Sequence, residues 1–184
     1  TLGLVGLGHI GSLVARVGKA FDMNLIGWSQ NMTAELAASC GATLVDKDTL
    51  FRDSDIVTIH LRLSGRTRGL VGAHELGLMK STAYMINISR GPIIDEAALI
   101  DVLQRKAIGG AGLDTFDVEP LPKDHPFLKL SNTVIAPHQG YVTEEGYRAF
   151  YAGVVEDING LASGEPIRVI NPDVLKSPQL RRLT

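Results

Sequence analysis

The chain has 184 residues, with 18 Lys+Arg against 20 Asp+Glu, 45% hydrophobic residues and one cysteine. A domain of this size buries roughly 70% of the surface its unfolded chain exposes, so it needs no disulfide framework, and a lone cysteine excludes one. A net charge of -2 gives no electrostatic case for nucleic acid or an anionic membrane, and no apolar run approaches the ~18–20 residues that span a bilayer.

Thr1–Gly11 has neither a basic n-region nor a small-residue cleavage site, so it reads as the opening strand of a longer chain rather than a signal peptide. Leu2–Gly6 is a buried strand. Ile10–Met23 has helical period through Ile10, Leu13, Val14, Val17 and Phe21, and Leu25–Trp28 is a second strand. Thr33 is the N-cap of a helix with Glu35 in its first turn, and Gly41 stops that helix after Cys40. Asp55–Leu61 and Ala83–Ile88 are continuous apolar strands. Asp95–Arg105 is the helix between the latter and strand Gly110–Asp114, and Asn132–Ala136 is the last strand. Pro120, Pro122 and Pro126 make Asp117–Lys129 a structured loop. Thr143–Ser163, opened by Thr143 with Glu144 and Glu145 and followed by Gly164, is the longest helical pattern. Strands alternating with amphipathic stretches predict an α/β fold, a doubly wound parallel sheet over residues 1–170, with 171–184 as a C-terminal tail.

Strand Leu2–Gly6 runs directly into Gly6-Leu7-Gly8-His9-Ile10-Gly11 and a helix, the G-x-G-x-x-G arrangement of a Rossmann-type dinucleotide site. Gly6 permits the tight turn, Gly8 lets backbone approach a pyrophosphate, and Gly11 allows close helix packing. The helix N-terminus offers unpaired N–H groups and a positive dipole end to the phosphates. Without a ligand the same residues would form an ordinary strand-helix turn, but a strand before the motif and an amphipathic helix after it favour the dinucleotide. The acid expected about 20 residues on, which would bond the ribose of NAD, is missing: the second strand ends in Trp28-Ser29-Gln30-Asn31. Neutral Ser29 would not repel a 2′-phosphate and no Arg follows it to attract one, so NAD against NADP stays open.

Three further segments carry chemistry. Asn87-Ile88-Ser89-Arg90-Gly91 puts a guanidinium at the carboxyl edge of the sheet, where ligands of doubly wound folds bind. Its planar fork suits a carboxylate and a carbonyl oxygen; the alternative is a surface arginine capping a helix. Leu113-Asp114 ends the next strand and the chain continues to Glu119-Pro120, and the last strand delivers Pro137-His138-Gln139-Gly140 to the same edge.

The glycine loop, Asn-x-x-Arg-Gly, Leu-Asp-x-x-x-x-Glu-Pro and Pro-His-x-Gly, in that order, resemble the cofactor-binding domain of the D-isomer-specific 2-hydroxyacid dehydrogenases. This is the family of D-3-phosphoglycerate dehydrogenase and the glyoxylate/hydroxypyruvate reductases, and the resemblance covers Leu2–Val174. It implies an NAD(P)-dependent oxidoreductase acting on a small 2-hydroxy or 2-oxo acid, with Arg90, Glu119 and His138 as the catalytic triad and Asp114 on the nicotinamide carboxamide. In that reading His138 exchanges a proton with the substrate oxygen, Glu119 orients the imidazole and favours its charged form, and Arg90 holds the substrate carboxylate. Cofactor contacts are implied at Gly6, Gly8, His9, Ile10 and Gly11, at Ser29, Leu61 and Thr67, and at Ile88, Ser89 and Gly140. A homodimer, a cytoplasmic location and a separate substrate domain against which residues 171–184 would pack are implied as well. The alternative from another class is a non-catalytic NAD(H)-sensing protein of the same fold.

The chain departs from the family where His-x-Pro is replaced by His60-Leu61-Arg62. Arg62, Arg66 and Arg68 form a small basic cluster, read as a solvated loop in preference to a 2′-phosphate site. Glu119, where formate dehydrogenases of the superfamily carry glutamine, argues against that relative. His60, His74 and His125 lack metal-site spacing, Cys40 reads as a small apolar group, and Trp28 reads as packing.

Overall fold

The computed structural model describes residues 1–177. In chain order it contains β1 (Leu2–Val5), α1 (His9–Ala20), β2 (Leu25–Trp28), α2 (Ala34–Ser39), β3 (Thr43–Leu44), α3 (Lys47–Asp53) and β4 (Ile56–Ile59). It continues through α4 (Ala73–Leu78), β5 (Tyr84–Asn87), α5 (Glu96–Gln104), β6 (Gly110–Leu113), β7 (Thr133–Ile135) and α6 (Glu144–Ala162). The strands form one sheet in the order β3-β2-β1-β4-β5-β6-β7, with every neighbouring pair parallel. The order reverses between β1 and β4, and in such sheets ligands bind in the crevice outside the carboxyl ends at that reversal.

Residues Thr1–Gly140 form one compact unit, which holds the whole sheet, and the chain from Tyr141 onward forms a second. In the first, α1 and α2 cover one face of the β1–β3 part of the sheet around Leu2, Leu4, Leu25 and Ala37. The other face is covered by α3, α4 and α5, which bury Leu50, Phe51, Leu76 and Leu99 against Val57, Ile59 and Met85. A strand buried on both faces reads as an unbroken apolar run, which accounts for β4, whose Val57, Thr58 and Ile59 are all buried, whereas β5 leaves Tyr84 exposed.

The helix starts are written in side chains. Thr33, Asp95 and Thr143 each accept a backbone N–H from the third residue on, namely Leu36, Ala98 and Gly146, which satisfies a donor the helix cannot pair internally. In the second unit α6 carries an Arg148–Glu144 pair at 2.6 Å and stacked Tyr147 and Tyr151 rings. A short 3₁₀ turn, Pro172–Lys176, follows. Of the expected tail at 171–184, residues 178–184 lie outside the described residues.

Three differences from the sequence reading have physical reasons. The period of α1 is helical, but Ile10, Leu13, Val17 and Phe21 are exposed, and the buried face is Gly11, Ala15 and Gly18. A Cβ on Gly18 would come within 2.8 Å of Leu2 and 2.9 Å of Leu25, so the helix lies too close to β1 and β2 for large residues. Helices α3 and α4 have seven and six residues, fewer than two turns, and leave no period to read. The Asp117–Lys129 loop ends in a 3₁₀ turn at Pro126–Lys129. Among the described residues no helix is long and apolar enough to cross a membrane.

Candidate functional site

The carboxyl ends of β1 and β4 frame the site. Gly6 has φ +100°, and a Cβ there would lie 2.8 Å from Leu61 and 3.0 Å from the His60 carbonyl, so the turn out of β1 needs glycine. A Cβ on Gly11 would strike the Gly6 carbonyl oxygen, whereas one on Gly8 would meet nothing. Gly11 is therefore required by the fold, and Gly8 faces open space. Gly8 also caps α1 with no side-chain bond, and the first turn holds no acid. The helix dipole end is thus unscreened toward an anion.

Two cavities lie beside this loop. One, about 410 Å³, is lined by Trp28, Ser29–Asn31, Leu61–Ser64, Arg66, Thr67 and Leu70. The other, about 380 Å³, is lined by Ile10, Ile59–Leu63 and Ile88–Arg90. They share Leu61, Arg62 and Leu63, giving a cleft with two chambers. Ser29 and Thr67 thus stand in one chamber, Ile10, Ile88 and Ser89 in the other, and Leu61 between them. His9 lines neither and is exposed. Trp28, expected as packing alone, is half-buried and forms part of a wall. His60 bonds Thr58 Oγ1 through Nε2 at 3.1 Å, and burial holds its pKa below the ordinary value, so the ring is neutral at pH 7. Uncapped amides beside a glycine with open space, flanked by two chambers, fit a dinucleotide with its pyrophosphate at the α1 terminus.

The ends of β5, β6 and β7 build the other half. Asn87, 1% exposed, clamps the turn after β5: its Nδ2 donates to the Arg90 carbonyl at 3.0 Å, and its Oδ1 accepts from the Ser89 amide at 3.1 Å. The Ser89 hydroxyl donates to the Leu61 carbonyl, tying this turn to the one after β4. A Cβ on Gly91 would strike the Phe116 backbone, so the Arg90 turn lies directly against the chain leaving β6. From that chain Glu119 reaches back, accepting the Phe116 amide at 2.9 Å through Oε1 and meeting His138 Nδ1 at 2.6 Å through Oε2. Partial burial pushes the Glu119 carboxyl up, but the His138 and Phe116 hydrogen bonds and the charges of His138 and Arg90 outweigh it and hold the pKa below the usual value. Arg90 is therefore near enough for its charge to act on the carboxylate, while its own Nη1 donates to the Ser89 carbonyl at 2.6 Å.

His138 sits at φ +53°, a conformation few non-glycine residues adopt. The cause is Asp114, buried at the end of β6, whose Oδ1 and Oδ2 accept the Gln139 and Gly140 amides, each at 2.8 Å. This clamp on the His138 turn was not visible in the motif, because its donors are backbone groups 25 and 26 residues away. A carboxylate oxygen has a second lone pair, so the clamp leaves capacity for a further donor. Gly140 is in place for the same reason: a Cβ there would stand 3.0 Å from Asp114 Oδ2.

Residues 1–140 match the family model for the D-isomer specific 2-hydroxyacid dehydrogenase, NAD binding domain. A glyoxylate reductase of Aeropyrum pernix is 41% identical over 180 residues, covering 97% of this chain and 54% of that protein. The NAD-complexed structure of a D-isomer specific 2-hydroxyacid dehydrogenase from Lactobacillus delbrueckii ssp. bulgaricus superposes with a TM-score of 0.73 at 34% identity, over 91% of this chain and 54% of that one. An acyclic imino acid reductase in complex with NADPH and D-Arg gives a TM-score of 0.73 at 33% identity, over 92% and 53%. The chain spans about half the length of these proteins.

Proposed function

The chain belongs to the D-isomer specific 2-hydroxyacid dehydrogenase family, whose NAD-binding domain it carries, and from that premise we propose that it serves an NAD(P)-dependent oxidoreductase interconverting a D-2-hydroxy acid and its 2-oxo acid. The observation that supports the reading is the 2.6 Å contact of Glu119 with His138 Nδ1, on a carboxylate that also feels Arg90. A sensor of the same fold would share these residues, so activity of the intact protein and its dependence on His138 separate the two readings.

A bound nicotinamide would supply or accept the hydride. The α1 terminus and Gly8 would hold the pyrophosphate, and Ile10 and Ile88, which line the second chamber, would give the nicotinamide apolar contacts. Arg90 binds the substrate carboxylate and polarises the carbonyl through its planar fork. With Nδ1 engaged by Glu119, proton exchange with the substrate oxygen falls to His138 Nε2: imidazolium donates in reduction and neutral imidazole accepts in oxidation. Glu119 keeps the ring oriented and balances its charge. Asp114 presents the turn that carries His138 and would offer a remaining lone pair to a nicotinamide carboxamide.

The test is steady-state oxidation of NADH by the enzyme that contains this domain, with glyoxylate and hydroxypyruvate as substrates. His138→Ala should lower kcat about 10²–10⁴-fold, the usual worth of general acid-base catalysis, with NADH affinity retained. A rate indifferent to His138 would defeat the assignment. A homodimer formed through this domain, a cytoplasmic location and packing of residues 171–184 on a substrate domain belong to the same proposal, and light scattering of the intact protein tests the first.

A further inference from the structure

We propose that the adenosine end of the cleft recognises a 2′-phosphate through Arg62 and Arg66, so that the chain binds NADP(H) more tightly than NAD(H). The inference rests on the dinucleotide reading above and goes beyond it to the identity of the cofactor.

The end of β2 holds no acid. A carboxylate there would bond the two ribose hydroxyls and repel a phosphate; Ser29, Gln30 and Asn31 do neither. Across the 410 Å³ chamber from them stands the Arg62–Thr67 turn, and no Asp or Glu lines the chamber between. Among the described residues that line it, the two guanidinium groups are the only ionic ones.

That turn has a fixed shape. The Thr67 hydroxyl donates to the Arg62 carbonyl at 2.7 Å and accepts the Ser64 amide at 2.8 Å, while the Thr67 and Arg68 amides both donate to the Ser64 carbonyl. The points from which the Arg62 and Arg66 side chains leave the backbone are therefore set before a ligand arrives, which lowers the ordering cost of binding.

The three arginines of the cluster separate by environment. The charge of Arg68 acts on Asp117, and Arg68 does not line the chamber, so it fits the solvated loop expected from sequence. Arg62 and Arg66 do line it and, among the described residues, have no ion-pair partner, unlike Arg105, Arg148 and Arg168, which are each matched to carboxylates. A dianionic phosphate with three acceptor oxygens is the ligand that two unpaired planar forks suit. The imino acid reductase of similar fold, crystallised with NADPH, places the phosphorylated cofactor within the range of this architecture.

Trp28 lines the same chamber and is the chain's one tryptophan, so its fluorescence reports occupancy even by fragments that lack nicotinamide. The experiment titrates the 184-residue chain with 5′-AMP, adenosine 2′,5′-bisphosphate, NADH and NADPH at low and high KCl. The bisphosphate should bind about tenfold or more tighter than AMP, as expected for charge-assisted hydrogen bonds, and NADPH tighter than NADH by a similar factor, with both ratios shrinking in salt. Arg62→Ser and Arg66→Ser should each reduce the ratio and together abolish it, the loss falling on the phosphorylated ligands. Ser29→Asp, which touches neither arginine, should invert the preference, and circular dichroism checks that each variant is folded. Equal binding of AMP and the bisphosphate, or NADH bound as tightly as NADPH, overturns this inference and leaves the dinucleotide site standing. Failure of all four ligands to bind overturns both.

Discussion

Asp114→Asn tests the reading of how His138 is positioned. In the native chain two backbone amides, Gln139 and Gly140, each donate at 2.8 Å to separate oxygens of one buried carboxylate. Asparagine keeps one oxygen and turns an NH₂ toward the other amide, so one charge-assisted bond is replaced by a donor facing a donor. A hydrogen bond to a charged group contributes about 1.5–3 kcal/mol, and a buried donor left without an acceptor costs about as much as it gains when paired. The substitution should therefore cost about 2–3 kcal/mol, a fall in Tm of about 4–12 °C for a chain of this size. Thermal unfolding by circular dichroism reads the global cost. Amide hydrogen exchange reads the local one: Gln139 and Gly140 stand on an exposed turn yet should exchange slowly in the native chain, and about 10–100-fold faster in the variant. An unchanged Tm together with unchanged exchange at both amides would show that Asp114 does not hold the turn.

Other outcomes follow from the same geometry. Gly8→Ala should leave Tm within about 2 °C of the native value, since its Cβ meets nothing, while weakening NADH binding at least several-fold; Gly11→Ala, whose Cβ strikes the Gly6 carbonyl, should lower both, and calorimetry beside fluorescence titration separates the two effects. Glu75 is buried, accepts the Gly72 amide at 2.8 Å and pairs with Lys47 at 2.6 Å; burial raises its pKa, but those two partners outweigh it and leave the carboxyl below its usual value. Because the folded pKa lies below the unfolded one, this group stabilises the chain above the unfolded value near 4.5, and the contribution is lost as pH falls through the folded value. Glu75→Gln should thus cost about 1–3 kcal/mol at pH 7 and flatten the acid limb of stability against pH, measured by urea unfolding from pH 3 to 7.

How much of this was legible depended on sequence distance. The turn from β1 into α1 could be read whole, because strand, glycines and helix are contiguous and each glycine has a local reason. Helix starts at Thr33, Asp95 and Thr143 were legible for the same cause: a cap and its donor lie three residues apart. The buried side of α1 was not, since a helical period marks a stripe without saying whether large or small residues face the sheet, and here the nearness of Leu2 and Leu25 selects Gly11, Ala15 and Gly18. The arginine cluster was read as one object, yet its members divide according to whether the side chain meets Asp117 or the chamber, a matter of direction that composition does not carry. Asp114 drew attention through its motif, but its clamp on Gln139 and Gly140 becomes visible only once β6 and β7 lie side by side.

Strand order explains why residues 90, 119 and 138 converge at all. β5, β6 and β7 are consecutive neighbours in the sheet, and parallel strands about 4.8 Å apart bring three carboxyl ends within about 10 Å. Proximity of strand ends does not by itself aim a side chain; the residues that hold the turns do that. Asn87 shapes the turn bearing Arg90, and Gly91 lets that turn lie on the Phe116 backbone. The Phe116 amide in turn holds Glu119, and Asp114 draws the His138 turn onto β6. The charges of Arg90 and His138 both act on the carboxylate of Glu119. The two turns are thus placed by one connected set of contacts, in which the Asp114 amide also donates to the Asn87 carbonyl at 3.0 Å, so that a change at either clamp should reach substrate binding and proton transfer together.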